Sequence, residues 1–337
     1  MILMETAGAE LSPFFAWLLS QLYAIAGIRT PLLTAVFSVL TYLGHEMGFL
    51  LVAIVLTWCL NKKYGYRLLI IFMVGSFLQQ ILKSAFMIPR PWVLDPAFDA
   101  YVVQSAKGAA TGFSFPSGHT MTACMSLGAL AMFLKKKWAY AAAAVLVLLV
   151  AFSRMYLGVH TLLDVVVGLL LGVLLLGFFE LALKGREDNN KILNTYMYIG
   201  FGLCVCLMAY LLIAVPEENA SQSVIETHAQ AVKDAAKLVG AALGMVIGKL
   251  IDDRFIHFDT ETVWWKQIVK VCVGMAIIVA IWGGLKLVFP KKPLFDGIRY
   301  FGMSFVGIGV YPILFRKLFP PKAAPVVDRH EEAEQKE

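Results

Sequence analysis

Charged residues are scarce in this sequence: Asp, Glu, Lys and Arg make up 15% of the 337 residues, whereas hydrophobic residues make up 59%. The mean hydropathy of +0.74 excludes an ordinary water-soluble fold. Several apolar runs approach the roughly 20 residues that a helix needs to cross a bilayer. The composition therefore predicts an all-α, polytopic integral membrane protein.

Cysteine is also sparse, and its positions do not form a disulfide framework or a metal-ligand pattern. Each of the five cysteines falls within an apolar run, where the thiol behaves as a small hydrophobic group: Cys59, Cys124, Cys204, Cys206 and Cys272. The first residues lack a basic segment followed by a small-residue cleavage site, so we expect no removable signal peptide.

The net charge of +6 is small and does not indicate nucleic-acid binding. The basic residues lie in short loops at 62–67, 135–137 and 184–191. Alternation of the intervening spans places these loops on one face, which the positive-inside rule assigns to the cytoplasm. We expect a bacterial plasma membrane, with the polar clusters described below on its extracytoplasmic side.

Apolar runs also predict the domain organisation. Residues 1–29 contain a run at 11–28 that is either an interfacial helix or a first membrane helix. Residues 30–185 contain the runs of a six-span core, near 31–43, 46–61, 66–86, 118–134, 138–156 and 160–183. Residues 192–319 contain four additional membrane helices, near 195–215, 232–250, 267–289 and 297–315. The Pro-rich, then charged segment 320–337 is predicted to be a disordered cytoplasmic tail.

A stripe of small residues lies in the second of the additional helices, where Gly240, Gly244 and Gly248 recur every four residues. Such a stripe lets two helices approach closely. Packing within the chain is the favoured interpretation, and a dimer interface is the alternative.

A histidine and a carboxylate follow the predicted span at 138–156. His160 and Asp164 are four residues apart, so on one helix they share a face. A carboxylate that binds one ring nitrogen fixes the tautomer and makes the other nitrogen more basic, as a nucleophile requires. Arg154 precedes them, and Gly158 permits a turn. The alternative is a structural His–Asp pair at a helix start.

A second polar cluster, Pro116-Ser117-Gly118-His119, precedes the run at 118–134. Ser117 is a suitable helix N-cap, and Gly118 permits close backbone approach. The N–H groups and dipole of a helix start favour a bound anion. His119 would then face that anion as a general acid. The alternative is simple helix capping beside an interfacial histidine.

The third cluster consists of Lys83, near the end of a predicted span, and Arg90, which lies between two prolines. Arginine binds phosphate through two parallel hydrogen bonds, and lysine adds a compact charge. The alternative for each is an anchor at the lipid headgroups. Taken together, the three clusters predict a site for a tetrahedral oxyanion such as phosphate.

These motifs, in this order, resemble those of the type 2 phosphatidic acid phosphatase superfamily, which includes undecaprenyl-diphosphate phosphatases and the vanadium haloperoxidases. The family pattern is Lys, six residues, Arg-Pro; then Pro-Ser-Gly-His; then Ser-Arg, five residues, His, three residues, Asp. The chain matches it without departure at Lys83 to Pro91, at Pro116 to His119, and at Ser153 to Asp164. The resemblance covers about residues 30–185.

The resemblance implies a phosphoryl transfer in two steps that needs neither a metal nor a cofactor. His160 would be the nucleophile that forms a phosphohistidine, Asp164 would orient it, and His119 would protonate the leaving oxygen. The remaining residues would bind phosphate: Lys83, Arg90, Ser117, Gly118 and Arg154.

A site at headgroup depth predicts a lipid phosphatase acting on phosphatidate, phosphatidylglycerophosphate or a polyprenyl diphosphate. Soluble phosphates and sphingoid-base phosphates are further candidates. A lipid phosphotransferase would pass the same phosphoryl group to a lipid alcohol instead of water. A haloperoxidase would need vanadate, and membrane spans argue against it. A non-enzymatic transporter or scaffold is the remaining alternative. The additional helices favour this alternative, whereas their lack of charged residues near mid-membrane argues against a transporter.

Overall fold

A computed structural model describes residues 11–186, 189–217 and 222–319. These residues form helices and turns and contain no strand, which confirms the all-α prediction. The predicted tail at 320–337 and the first ten residues lie outside the described residues. The principal helices are α1 (Pro13–Gly27), α2 (Pro31–Leu40), α3 (Glu46–Ile54), α4 (Lys62–Phe86), α5 (Gly118–Leu134), α6 (Lys137–Tyr156), α7 (Leu162–Leu183), α8 (Asn190–Ile213), α9 (Gln222–Ile251), α10 (Trp264–Val288) and α11 (Pro293–Phe305).

Six helical segments within the described residues are long and apolar enough to cross a membrane. They are Lys62–Leu94, Lys137–Tyr156, Leu162–Leu183, Asn190–Ile213, Trp264–Val288 and Pro293–Leu314. The prediction of an integral membrane protein is therefore confirmed.

Helix α1 is too short to cross the bilayer alone. Its 15 residues extend about 22 Å, less than the roughly 30 Å of the hydrocarbon core. Leu19 and Leu22 pack in a buried cluster with Phe98, which belongs to the loop between α4 and α5. The Tyr23 hydroxyl donates a hydrogen bond of 2.7 Å to Asp95 of the same loop. Helix α1 therefore supports that loop.

The predicted runs at 31–43 and 46–61 are two arms of one bent segment. Pro31–Gly44 and Glu46–Leu60 meet at an angle of 52°. At the bend, Gly44 lies so close to the backbone carbonyl of His119 that a β-carbon would collide with it. Hydropathy does not reveal this bend, because its cause is a tertiary contact with α5.

Helix α5 lies at the centre of the core, in contact with α4, α6 and α7. Small buried side chains, including Ala123 and Cys124, allow this close packing. Helices α4 and α6 begin at basic loops, and α5 and α7 end at them. The opposite ends of all four helices therefore meet at one end of the bundle, beneath the α4–α5 loop.

The α4–α5 loop is ordered by short helical turns at Pro91–Leu94, Pro96–Tyr101 and Gln104–Ala109. Helix α4 ends at Phe86, and its C-cap residue Met87, with a φ of 47°, turns the chain out of the helix. The loop ends at a cis Phe115–Pro116 peptide bond, immediately before α5.

The glycine stripe packs inside the chain, as the favoured interpretation predicts. Gly240 on α9 lies against the backbone of Gly297 on α11, with no room for a side chain between them. The Ser304 hydroxyl of α11 donates a hydrogen bond of 2.9 Å to the carbonyl of Ala241.

The additional helices dock onto the core through buried polar contacts at its basic end. Asp252, fully buried after α9, pairs with Lys62 Nζ at 3.0 Å. The same carboxylate accepts hydrogen bonds from the backbone of Phe258 at 3.1 Å and from the Tyr66 hydroxyl at 3.4 Å. These contacts join the start of α4 to the segment that follows α9.

We expect Asp252→Asn to lower the free energy of unfolding by about 2–3 kcal/mol. Removing one partner of a fully buried ion pair costs about 3–5 kcal/mol, and here Lys62 is 24% exposed, which weakens the pair. Thermal unfolding in detergent would show this loss as a lower Tm. Asp99→Asn, which breaks the more exposed pair with Lys107, is the control and should change stability by less than about 1 kcal/mol. Equal Tm values for the two variants would contradict the docking role of Asp252.

Candidate active site

Asp164 is fixed by the start of α7. Thr161 is the N-cap, and the Asp164 carboxylate folds back to accept a hydrogen bond of 2.7 Å from the Thr161 backbone N–H. The Ser114 hydroxyl donates a second hydrogen bond, of 2.6 Å, to the same oxygen. The carboxylate is fully buried. Its position therefore depends on local capping and on the loop that precedes α5.

His160 lies before α7 rather than on it, so the prediction that one helix carries both residues is wrong. Helix α6 ends at Tyr156, Gly158 turns the chain at a φ of +81°, and α7 begins at Leu162. The capping geometry nevertheless places His160 Nδ1 3.5 Å from Asp164 Oδ2.

Ser114 lies between this imidazole and the carboxylate, since its hydroxyl is 3.4 Å from His160 Nδ1 and bonds Asp164. On the other side of the ring, His160 Nε2 is 3.0 Å from an Arg90 guanidinium nitrogen. A guanidinium only donates hydrogen bonds, so Nε2 is the acceptor and a neutral ring carries its proton on Nδ1. The lone pair of Nε2 therefore faces the cations.

Burial, together with the positive charge of Arg90, lowers the pKa of His160 well below its usual value. The imidazole is therefore neutral near pH 7, the form in which Nε2 has a free electron pair.

Arg90 is buried and its guanidinium is bonded within the protein, unlike the exposed guanidinium of a headgroup anchor. The guanidinium donates hydrogen bonds to the carbonyl oxygens of Thr111 at 2.8 Å, Gly112 at 3.0 Å and Val159 at 2.9 Å. Lys83, on the last turn of α4, donates to the carbonyl of Phe113. Both cations thus hold the end of the α4–α5 loop over the site.

Ser117 is the N-cap of α5, as predicted, and its hydroxyl accepts from the Thr120 backbone N–H at 3.5 Å. The hydroxyl also bonds the Thr120 hydroxyl at 3.0 Å. This side chain is therefore engaged in the helix cap. Gly118 packs against the side-chain amide of Gln79, which would have to move to admit a β-carbon.

His119 projects from the first turn of α5 into the cavity that His160 also lines. A further imidazole, His45, lies beside it, with ring centroids 5.9 Å apart. Arg154, in the last turn of α6, is buried and donates a hydrogen bond of 2.8 Å to the Thr41 hydroxyl.

Sequence reasoning missed His45, Thr41 and Ser114. A gap between two short apolar runs was the only signal of the bend that carries Thr41 and His45. Ser114 lies two residues before Pro116 in a Phe-Ser-Phe-Pro stretch and has no spacing relation to Asp164 that a single sequence could reveal.

One cavity of about 1580 Å³ brings the predicted residues together at one of its ends. Six of the eight predicted residues line it: Lys83, Arg90, Gly118, His119, Arg154 and His160. Asp164 lies behind His160, and Ser117 lies in the cap of α5. Three cationic side chains around two imidazoles suit an oxyanion. Within the described residues, no three His, Cys, Asp or Glu side chains converge as a metal site would require.

Two family models match the chain. The PAP2 superfamily model matches residues 64–187, and the model of the PAP2 superfamily phosphatase transmembrane extension matches residues 236–323. The first range contains all three motifs, and the second contains the C-terminal half of α9 together with α10 and α11.

The chain is also similar to characterised proteins. It is 35% identical over 180 residues to phosphatidylglycerophosphatase B of Bacillus subtilis, covering 49% of this chain and 80% of that protein. It is 25% identical over 266 residues to sphingosine-1-phosphate phosphatase 1 of Rattus norvegicus, covering 72% of this chain. The chain spans 57% of the length of that relative. It is 32% identical to an undecaprenyl-diphosphatase of Sulfolobus acidocaldarius over 142 residues, covering 42% of this chain and 65% of that protein.

Among solved structures, a transmembrane PAP2-type phosphatidylglycerolphosphate phosphatase from Bacillus subtilis is similar to the chain. The identity is 30%, the TM-score is 0.40, and the match covers 51% of this chain and 88% of that one.

We expect Arg154→Gln to weaken the binding of orthovanadate, a tetrahedral oxyanion, by about 10-fold or more. A hydrogen bond to a charged group contributes about 1.5–3 kcal/mol, and about 1.4 kcal/mol corresponds to a tenfold change in Kd. Titration of the purified protein by calorimetry would give the Kd. Lys107→Gln removes a cation from the outer part of the α4–α5 loop and should leave the Kd unchanged. An unchanged Kd in Arg154→Gln would contradict the assignment of Arg154 to an oxyanion site.

Proposed function

Because the chain belongs to the PAP2 superfamily, we propose that it is an integral membrane phosphatase that hydrolyses lipid phosphates through a phosphohistidine. The observation that carries the proposal is the arrangement around His160. One ring nitrogen faces Arg90 at 3.0 Å and the other faces the buried Asp164 carboxylate at 3.5 Å. This arrangement supports a neutral nucleophile that is directed toward a cationic pocket.

In the first step, His160 Nε2 attacks phosphorus and forms a P–N bond while the bond from phosphorus to the lipid oxygen breaks. The negative charge of the bound phosphate favours the protonated form of His119, which gives its proton to the departing oxygen. Lys83, Arg90 and Arg154 stabilise the charge on the equatorial oxygens, which is the main requirement of phosphoryl transfer. Asp164 orients His160 and stabilises the positive charge that develops on its ring.

In the second step, water attacks the phosphohistidine and the P–N bond breaks. His119, now neutral, takes a proton from that water, and inorganic phosphate leaves. The imidazole of His160 returns to its neutral form. The same two steps on a lipid diphosphate would release phosphate and a lipid monophosphate.

The proposed substrate is one of the lipid phosphates that the names of the relatives specify or that the sequence motifs predict. These are phosphatidylglycerophosphate, undecaprenyl diphosphate, sphingosine-1-phosphate and phosphatidate. In this proposal the phosphatase core lies within residues 30–185, the N-terminal helix lies within residues 1–29, and the additional helices lie within residues 192–319.

We expect purified protein in detergent to release phosphate from at least one of these four lipids without added metal. His160→Ala should lower kcat by at least about 10³-fold, because removing a nucleophile eliminates most of the catalysis. His119→Ala should lower kcat by about 10²–10⁴-fold, the usual contribution of a general acid. The measurement is the rate of phosphate release.

His257→Asn is the matched control. It removes an exposed imidazole at the basic end of the bundle, at a left-handed position that asparagine accepts readily. Its activity should equal that of the unmodified protein. Full activity in His160→Ala, combined with inhibition by a chelator, would contradict the phosphohistidine scheme.

The proposal places the active site on the extracytoplasmic face, because α4 to α7 carry their basic loops at the opposite end. In a cysteine-free variant, a cysteine at Ala97 should react in intact cells with a membrane-impermeant maleimide. A cysteine at Lys136 should react only after permeabilisation. The reverse labelling pattern would place the site on the cytoplasmic face and leave the chemistry unchanged.

A further inference from the structure

The cavity at the active site extends far beyond the phosphate-binding end. From Lys83 it continues along α4 to Phe72 and Leu69, and it reaches Trp58 at the end of the bent segment. Leu69 and Lys83 are fourteen positions apart on α4, which corresponds to about 21 Å along the helix. One leaflet contributes half of the roughly 30 Å hydrocarbon thickness. The cavity is therefore deeper than one leaflet.

Its chemical character changes along this length. Lys83, Arg90 and Arg154, with His119 and His160, lie at one end. The deep part is lined mainly by aliphatic and aromatic side chains from α3 and α4, such as Phe49, Ile54 and Phe72. Such a combination suits an amphiphile with one phosphate and a long hydrocarbon chain.

Helices α9, α10 and α11 form the other wall of the deep part. Each contributes apolar side chains to it: Leu238, Ala242 and Met245 from α9, Ile278 and Trp282 from α10, and Met303 from α11. The phosphatase motifs lie outside these helices, so the wall is a feature that the motifs do not explain.

Buried hydrogen bonds fix the floor of the cavity to both units. The Trp58 indole N–H of the core donates to the Gly307 carbonyl, after α11, at 3.1 Å. Lys270 Nζ of α10 donates to the Trp58 carbonyl at 2.7 Å. Trp58 and Lys270 are both almost completely buried. The two walls therefore have a defined separation at the floor.

We infer that the C-terminal helices, together with α3 and α4, form a binding chamber for the hydrocarbon chain of the lipid phosphate substrate. The inference rests on the proposed function. A chain that leaves the bilayer for this chamber gains little hydrophobic free energy, because lipid tails are as apolar as the lining. The chamber instead acts through fit: a chain long enough to fill it makes packing contacts that hold the phosphate at His160.

The first test fills the chamber and compares two chain lengths. Ala242→Phe on α9 and Met303→Trp on α11 each add bulk to the lining of the chamber. For a substrate whose chain reaches the floor, each variant should lower kcat/KM by about 10-fold or more, the range for a steric change in an apolar pocket. For the same headgroup on a four-carbon chain, kcat/KM should stay within about twofold, which also shows that the variant is folded.

Ala280→Phe is the matched control, because Ala280 lies on the exposed side of α10, only two residues from Ile278. This variant should leave kcat/KM unchanged for both the long-chain and the four-carbon substrate. Equal losses on the long and the short substrate in both chamber variants, or no loss on either, would overturn the inference.

The second test does not require turnover. A non-hydrolysable lipid phosphonate that carries a diazirine at the chain terminus is photolysed with the unmodified protein, and the labelled peptides are identified by mass spectrometry. Labelling of α10 and α11, competed by orthovanadate, supports the chamber. Labelling confined to exposed positions such as Ala280, or equal labelling by an analogue that lacks the phosphonate, overturns it. Absence of phosphate release by the unmodified protein would refute the proposed function, whereas the photolabelling would still decide the chamber.

Discussion

The arrangement of the candidate site depends on the buried guanidinium of Arg90. A cation removed from water is tolerated only when its N–H groups find acceptors. Here the acceptors are the carbonyls of Thr111, Gly112 and Val159 and the ring of His160. One side chain therefore fixes the α4–α5 loop relative to the α6–α7 turn, and it also determines which nitrogen of His160 is unprotonated. The same charge that would stabilise a phosphoryl group is what assembles the pocket.

The sequence alone predicted the features of the site that depend on the spacing of nearby residues. The N-cap role of Ser117 and the proximity of His160 to Asp164 follow from the residues next to them along the chain. The sequence did not predict the position of a residue where contact with a distant segment determines that position. His160 lies off the helix because the α6–α7 turn ends only at Thr161, and His45 approaches His119 because Gly44 packs against the α5 backbone. Such contacts produce no periodic pattern in the sequence, because each depends on two segments that are far apart along the chain.

The four additional helices were predicted from hydropathy, but their position was not. Within a membrane an apolar helix face gains little by packing on protein rather than on lipid. Polar groups that need partners therefore decide where such helices dock. Asp252 with Lys62, and Lys270 with the Trp58 carbonyl, are contacts of this kind. Each joins residues about 190 or more positions apart, a separation that no reading of local sequence could bridge.

Different interactions dominate at the two ends of the cavity. In the proposed function, the charges at the phosphate end act away from bulk water and interact strongly, so the chemistry would require only the short motifs around His119 and His160. At the apolar end, hydrophobicity provides no preference for protein over lipid, and selection can come only from shape. The shape of the cavity can select a hydrocarbon chain only when the distance between its two walls is fixed. In the chamber that we infer, the buried contacts of Trp58 to both units would therefore influence the phosphate end, although they lie at the far end of the cavity from it.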